Sequence, residues 1–502
     1  MNRDLRWYDH LTLNSYWLGL NTASGIITPL LLPALVVLYM PVEYKNTYLA
    51  TVSTLGLAVA MLVQPIAGML SDRSTARLGR RRPFILVGAL LNIVFLAVIG
   101  LSKSFTNSPL DAALMPALGF TAAYGVLLLG IVLLQVSSNI GHGALQGLIP
   151  DLVPPQQRGR ASGVKAVFEL LPVLLVFLVG GWIDRGQIWP VIILIMVMFA
   201  VTALITLIFV KEQPLAEAPK DSLREPVLRI VALTVIFFGI TRLVIWLLGS
   251  GGGWLGDMGA SLPVVVAVMG AAGLIGMAGS ILLGVYLGAW VGVGKEARQQ
   301  RSFIWWVINR LLFLAAIGSV RNFAQYYLSD VLHMEQAATM TTILLGVVAL
   351  FLIPSAIAGG LLSDRTGRRR LVLLSAVIAA AGTGLLLVSA SLPLVIASGA
   401  VIGIGSGLFM ATNWALGTDL VPPEQAGKYL GISNLAGAGA GIVGTGIGGP
   451  IADYFNLLQP GLGYTVIYAM YGGLFLLSIA ALSRVKSADP SAAPVPQPAS
   501  LP

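Results

Sequence analysis

Gly68-Met-Leu-Ser-Asp72-Arg73-Ser-Thr-Ala-Arg77-Leu-Gly79-Arg80-Arg81-Arg82 is a basic loop caught between two apolar runs, each long enough to cross a bilayer. It returns, shortened, as Gly360-Leu-Leu-Ser-Asp364-Arg365-Thr-Gly367-Arg368-Arg369-Arg370. A second pair follows it in both places. Asp151-Leu-Val-Pro-Pro-Gln-Gln-Arg158-Gly159 matches Asp419-Leu-Val-Pro-Pro-Glu-Gln-Ala-Gly427 almost letter for letter. Two different loops recurring in one order divide the chain into two homologous halves. Parallel repeats around a midplane site are a transporter architecture.

Composition sets the class around that repeat. The 502 residues are 57% apolar and only 10% charged, with mean hydropathy +0.87. Soluble domains carry about 25% charged residues, so the chain reads as an all-α polytopic membrane protein. The net charge of +9 sits in short loops between apolar runs, the pattern that orients a membrane protein. No soluble basic face is left to bind nucleic acid. The absence of cysteine excludes disulfides, iron–sulfur clusters and thiolate metal sites, and neither a cofactor nor a metal is expected. Met1 to Asn14 is polar, with Arg3, Arg6 and His10. The apolar run after it exceeds a signal-peptide core of about 7–15 residues, so it is expected to stay as the first span.

Spans are read near 15–39, 48–70, 83–102, 119–148, 161–183 and 188–210, then 227–248 and 262–290. Six more follow near 302–331, 341–362, 371–389, 392–418, 428–452 and 461–484. Each approaches or exceeds the ~20 residues that cross the hydrocarbon, giving fourteen spans. With both termini in the cytoplasm, only Lys45, Lys103 and Arg185 of the 30 basic residues fall in outer loops. Lys165, Arg242, Arg310 and Arg321 fall inside spans, and the rest lie on the cytoplasmic side. The organisation is therefore a six-helix bundle (1–210), a linker with an inserted transmembrane hairpin (211–301), a second six-helix bundle (302–486) and a tail (487–502). The hairpin turn Gly249-Ser-Gly-Gly-Gly-Trp254 is expected to be flexible and outside. The Pro-, Ala- and Ser-rich tail is expected to be a disordered cytoplasmic segment.

The Gly-x-x-x-Asp-Arg…Gly-Arg-Arg loops resemble the signature of the major facilitator superfamily, and both halves carry it. The form Ser71-Asp72-Arg73…Gly79-Arg80-Arg81-Arg82-Pro83-Phe84-Ile85 is more particularly similar to the sucrose carriers, near the glycoside–pentoside–hexuronide cation symporters. The resemblance implies two six-helix bundles and a secondary carrier in a cell (inner) membrane, expected to be a monomer embedded in lipid. Gly68 and Gly360 would let a neighbouring helix approach closely. Asp72 and Asp364 would accept from backbone N–H groups at a helix start or pair with an arginine of the other half, forming a gate. Arg73, Gly79, Arg80, Arg365, Gly367 and Arg368 complete the two loops. Asp151 and Asp419 end spans at helix C-termini, where a negative charge is unfavourable. Each needs a cation, from Arg158, Arg160 or the Arg80–Arg82 run.

Ionisable groups inside a bilayer are costly and mark function. Glu169 is the one acid well inside a span. It lies about 12 Å in from Ala161, near mid-depth of a ~30 Å core, one turn from Lys165. Arg310 reaches a similar depth in the other half. Such a set could carry a proton or sense a cation; the alternative is a static ion pair. Gln135, Asn139, His142 and Gln146 share one helical face at spacings of 4, 3 and 4. A polar stripe in a membrane helix should face a water-filled cavity, and His142 is a second candidate for coupling. The sucrose carriers have an acid tied to proton coupling where Gln135 falls, and an amide cannot release a proton. Asn21, Arg321, Asn322, Gln325, Asn413 and Trp414 could complete a sugar site, since hydroxyls need amide and Arg donors and a pyranose needs an aromatic plate.

The expected function is secondary transport of a small polar solute, a sugar or glycoside, coupled to H+ or Na+. A drug or lipophile exporter of the same superfamily is the alternative. A peptide carrier is disfavoured because the first span lacks a Glu-x-x-Glu-Arg pattern. Three His, no Cys and one intramembrane acid are too poor a set for an enzyme. There is no Gly-x-x-x-x-Gly-Lys-Ser/Thr loop for nucleotide.

Overall fold

The computed structural model describes residues 5–219, 222–292, 301–389, 391–420 and 426–485, and their side chains except at 292, 364 and 426–436. The Asp364 carboxylate and the 487–502 tail thus lie outside the described residues. In lipid a backbone must satisfy its own hydrogen bonds, which for long apolar runs means helices. All regular structure among the described residues is helical. Thirteen helices there are long and apolar enough to span a membrane. They are α1 (Trp7–Tyr39), α2 (Val42–Asp72), α3 (Arg82–Phe105), α4 (Ala122–Leu152), α5 (Pro155–Asp184) and α6 (Ile188–Phe209), then α7 (Arg224–Asp257) and α8 (Leu262–Val291). After them come α9 (Arg301–Asp330), α10 (Ala337–Ser363), α11 (Arg368–Leu387), α12 (Leu392–Asp419) and α14 (Leu462–Ser483). Between the last two lies α13 (Ala426–Leu458), a helix of 33 residues where a further span is expected.

Helices α1–α6 pack on one another, as do α9–α14, with α3 and α2 on α4 mirrored by α11 and α10 on α12. The two bundles meet along α2–α13 and α5–α10. The hairpin α7–α8 lies outside both, mainly against α13 and α14, with α7 also touching α2.

Three features stand apart from the sequence reading. The first helix starts at Trp7, because the Asp9 carboxylate accepts the Arg6 N–H at 2.8 Å and caps it upstream of the apolar run. In the hairpin, α7 continues helically through Gly249–Trp254 instead of turning there. Tyr454 of α13 holds it, its hydroxyl donating to the Gly252 carbonyl at 3.2 Å, and the chain reverses only around Gly259 (φ +64°). Within α1, residues Ile27–Leu31 form a π-helical turn containing Pro29. The Gln325 amide of α9, oriented to donate, reaches the Pro29 and Leu30 carbonyls there at 3.1 and 3.0 Å.

Candidate functional site

On the face opposite the basic loops, the far face, the bundles are tied by two acids in corresponding helices. Asp453 of α13 accepts the backbone N–H groups of Asn46 (3.2 Å) and Thr47 (2.6 Å), and the Asn46 amide at 2.8 Å. Asp184 of α5 accepts those of Ala338 (3.0 Å) and Thr339 (2.9 Å), and the Thr339 hydroxyl at 2.5 Å. Each carboxylate sits on the first turn of a helix in the other bundle, where free N–H groups and the helix dipole favour negative charge. A third link is ionic: Lys45 Nζ lies 2.6 Å from Asp330 of α9, which also accepts the Tyr464 hydroxyl at 2.6 Å.

On the basic face each described ion pair lies within one bundle. Arg81 is buried, with 6% of its side chain exposed. Its guanidinium pairs with Asp72, donates to Asp151 at 3.0 Å and to the Ser71 hydroxyl at 2.6 Å. Arg80 also reaches Asp151, at 2.7 Å. Asp72 therefore pairs with an arginine of its own bundle, not the other half's. Asp151 draws its cations from the Arg80–Arg82 run, while Arg158 donates to the Val153 and Pro150 carbonyls. Gly147 leaves the space that the Arg81 guanidinium fills. Gly68 approaches Gly143 closely, whereas a side chain at Gly360 would meet nothing within 4 Å. In the second loop Arg368 pairs with Asp419 and donates to the Ala415 carbonyl at 2.8 Å, but Arg369 turns away to the Ser483 carbonyl. Arg365, at the end of its helix, is exposed.

Glu212, just beyond α6, organises the first loop. It accepts the backbone N–H of Arg81 at 3.0 Å and of Arg82 at 2.9 Å. It packs where a side chain at Gly79 would stand, and Gly79 holds φ +104°. Burial raises the Glu212 carboxyl above the ordinary Glu range, and the Arg82 and Arg81 N–H groups pull it back only partly. Arg73 donates to the Pro219 carbonyl of the same linker.

Between the bundles lies a cavity of about 310 Å³. Its polar groups include Asn21 of α1, Glu169 of α5, and Arg321 and Tyr327 of α9. Arg321 bridges the bundles by donating to the Ser24 carbonyl at 3.2 Å. Most of the remaining wall is apolar, from residues such as Val176, Val348 and Leu352.

The other expected site residues are placed elsewhere. Glu169 pairs with Lys165 at 3.3 Å, and the ammonium lies 4.0 Å over the Trp17 ring. Trp17 in turn meets His142 edge-on, which contacts Gln64 and Gln146 at 3.5 and 3.3 Å. Arg310 is not joined to this set. It donates to Asn413 at 3.2 Å and lies 4.9 Å over the Trp414 ring, inside the second bundle. Asn139 is spent on Gln135. Asn322 donates to Thr445 and Gln325 to the α1 carbonyls, so both serve helix packing and neither lines the cavity.

Sequence reading took Arg81 only as one of the Arg80–Arg82 run, and it missed Glu212 and the far-face acids. A signal for the last was present: Asp184 follows Gly180-Gly181-Trp-Ile, and Asp453 follows Gly448-Gly449-Pro-Ile-Ala, at the ends of equivalent spans.

Two helical bundles enclosing a mid-depth cavity, closed at one face and carrying duplicated charged loops at the other, define a membrane carrier. The model of the Major Facilitator Superfamily matches residues 17–320 and 307–501, and the chain belongs to that superfamily of transporters. It is 28% identical over 179 residues to the sucrose transport protein SUC3 of Arabidopsis thaliana, covering 32% of this chain and 30% of that one. It is 31% identical over 169 residues to the proton-associated sugar transporter A of Homo sapiens, covering 31% and 22%. The chain thus spans about a third or less of the length of these relatives. The fold matches a crystal structure of a D-xylose-proton symporter with TM-score 0.57 at 16% identity, over 96% and 97% of the two chains.

Proposed function

We propose that the protein is a secondary carrier of a small polar solute, a sugar or glycoside, coupled to a cation and working by alternating access. The observation that carries this reading is the cavity between the bundles, whose wall includes a carboxylate, a guanidinium and an amide: Glu169, Arg321 and Asn21. Amides and Arg donate to hydroxyls and carboxylates accept from them, so the set suits a polyol. The relatives, a sucrose transport protein and a proton-associated sugar transporter, point the same way. Glu169 is the group proposed to exchange the coupling cation, with Lys165 as its partner. Arg310 stands apart with Asn413 and Trp414, positioning helices.

The basic face is placed in the cytoplasm, with both termini, in a cell membrane. In that orientation the conformer is closed to the outside by Asp453, Asp184 and Lys45–Asp330. The basic loops act as the inner gate, with Asp72 and Asp151 held on Arg81 while it is open.

The apolar share of the cavity wall favours a second reading, export of a lipophile. Uptake into proteoliposomes of labelled sucrose and maltose, set against a lipophilic amine, with and without a proton or sodium gradient, separates the two. Gradient-driven sugar accumulation supports the first. Sugar indifference with gradient-driven amine movement overturns it.

A further inference from the structure

A second, smaller cavity of about 150 Å³ lies where the inserted hairpin meets the two bundles. Its wall brings together Thr47, Thr51 and Thr54 of α2, Thr241 and Arg242 of α7, and Gly446 of α13. Arg242 is the hairpin's one charged group well inside its expected span, Arg229 lying at the start of it. It is exposed in this crevice, ~15 Å along α7 from Gly252 at the far-face rim. Its guanidinium rests against the Phe238 ring at 5.1 Å. Among the described residues no acid pairs with it. Asp453, a turn beyond the crevice, is engaged by the Asn46 and Thr47 amides. A guanidinium at this depth is costly without an anion, and the described residues supply none.

The hydroxyls state the rest of the ligand. Thr51 donates to the Thr47 carbonyl at 2.8 Å, Thr54 to the Thr51 carbonyl at 3.2 Å, and Thr241 to the Phe237 carbonyl at 2.7 Å. With their protons committed to the helices, these oxygens offer only acceptor lone pairs. The crevice therefore presents one fork for an anion beside a row of acceptors for N–H or O–H groups, against the apolar flank of Phe238 and Ile245. We propose that it is a binding site for a phospholipid whose headgroup pairs a phosphate with a hydrogen-bond donor, a glycerol or an ethanolamine. The phosphate takes Arg242, the donor takes the threonine oxygens, and the acyl chains follow the outside of α7. Because one wall comes from each bundle and one from the hairpin, the site is complete only while α2 and α13 are together. A bound lipid thus favours the conformer closed on the far face.

The test uses the purified full chain in a non-ionic detergent with short-chain dioctanoyl lipids, retention being read by native mass spectrometry. Phosphatidylglycerol and phosphatidylethanolamine should be retained over phosphatidylcholine, which has the phosphate but no donor. Arg242→Ala should lower their retention about tenfold, the loss of a charge-assisted contact, while Arg242→Lys keeps part of it. Thr51→Val should reduce the preference over phosphatidylcholine while leaving phosphate binding, and it tests the site even if Arg242→Ala fails to fold. Equal retention of all three lipids by wild type, or undiminished retention by folded Arg242→Ala, overturns the proposal. Inorganic phosphate displacing the lipids at comparable concentration would assign the site to a free anion and overturn the lipid assignment.

Discussion

Asp453 of α13 accepts the backbone N–H of Thr47, in the first turn of the opposing α2, at 2.6 Å. Asp184 does the same for Thr339 of α10 at 2.9 Å, so the far face is closed by two helix caps supplied in trans. A cap is worth about 0.5–2 kcal/mol. Asp453→Ala and Asp184→Ala should each shift the population away from this conformer, by about five- to thirtyfold at 1–2 kcal/mol. Spin labels on cysteines placed at Glu43 and Glu335, in a chain with no native cysteine, would report the separation. Unchanged distances in both variants would remove the caps from the gate.

Arg81 is the buried member of the basic run, with Asp72 and Asp151 on one guanidinium. Asp72 is 53% exposed and Asp151 keeps Arg80, so what Arg81→Gln removes is the set of charge-assisted hydrogen bonds that this guanidinium makes. Arg81→Gln should destabilise by about 2 kcal/mol or more, and Arg80→Gln by less, since Arg80 is 28% exposed. Thermal melting of the two variants in one detergent checks the order.

Glu169 and Lys165 form an i,i+4 pair at 3.3 Å, each about a third exposed. If Glu169 carries the coupling proton, Glu169→Gln should abolish gradient-driven accumulation and spare substrate counterflow, which needs no net proton movement. A merely structural pair predicts that both activities or the folded yield fall together. Accumulation at wild-type level would exclude Glu169.

Glu212 gives a pH dependence. Its folded-state value lies above that of an unfolded Glu because burial disfavours the charge. The stabilisation from protonating it is fully present below the ordinary Glu value and is lost as pH rises through the raised one. Between those two values the wild type should gain Tm as pH falls, relative to Glu212→Gln, which keeps an acceptor for the Arg81 and Arg82 N–H groups. Parallel Tm–pH profiles for the two proteins would contradict this.

The fold was legible because its signals are local and repeated. Apolar length fixes spans, and the two loop pairs fix the duplication. The candidate site was legible only in part. Depth along a helix pointed to Glu169, but rotation about the helix axis decides which wall a side chain joins. Asn322, Gln325 and Asn413 therefore read as donors for a solute and prove to be donors for neighbouring helices. Asp184 and Asp453 sit at span ends, where an acid reads as solvated surface; their role comes from an N-terminus in another bundle, beyond any local window. Arg81 is indistinguishable from Arg80 and Arg82 as a letter, and only the fold turns it inward.

The π-helical turn of Ile27–Leu31 makes α1 two mechanical parts. Below it, Asn14 and Ser15 moor the helix to its own bundle, through the Ala161 carbonyl at 3.1 Å and the Thr206 hydroxyl at 2.8 Å. On the turn itself, and just beyond it, the other bundle takes hold: Gln325 donates to the Pro29 and Leu30 carbonyls and Tyr326 to the Pro33 carbonyl. One rod is thus anchored to both bundles, and the turn with the extra residue is itself one of the points of attachment. Any tilt of one bundle against the other would therefore pull on α1 at its least regular turn.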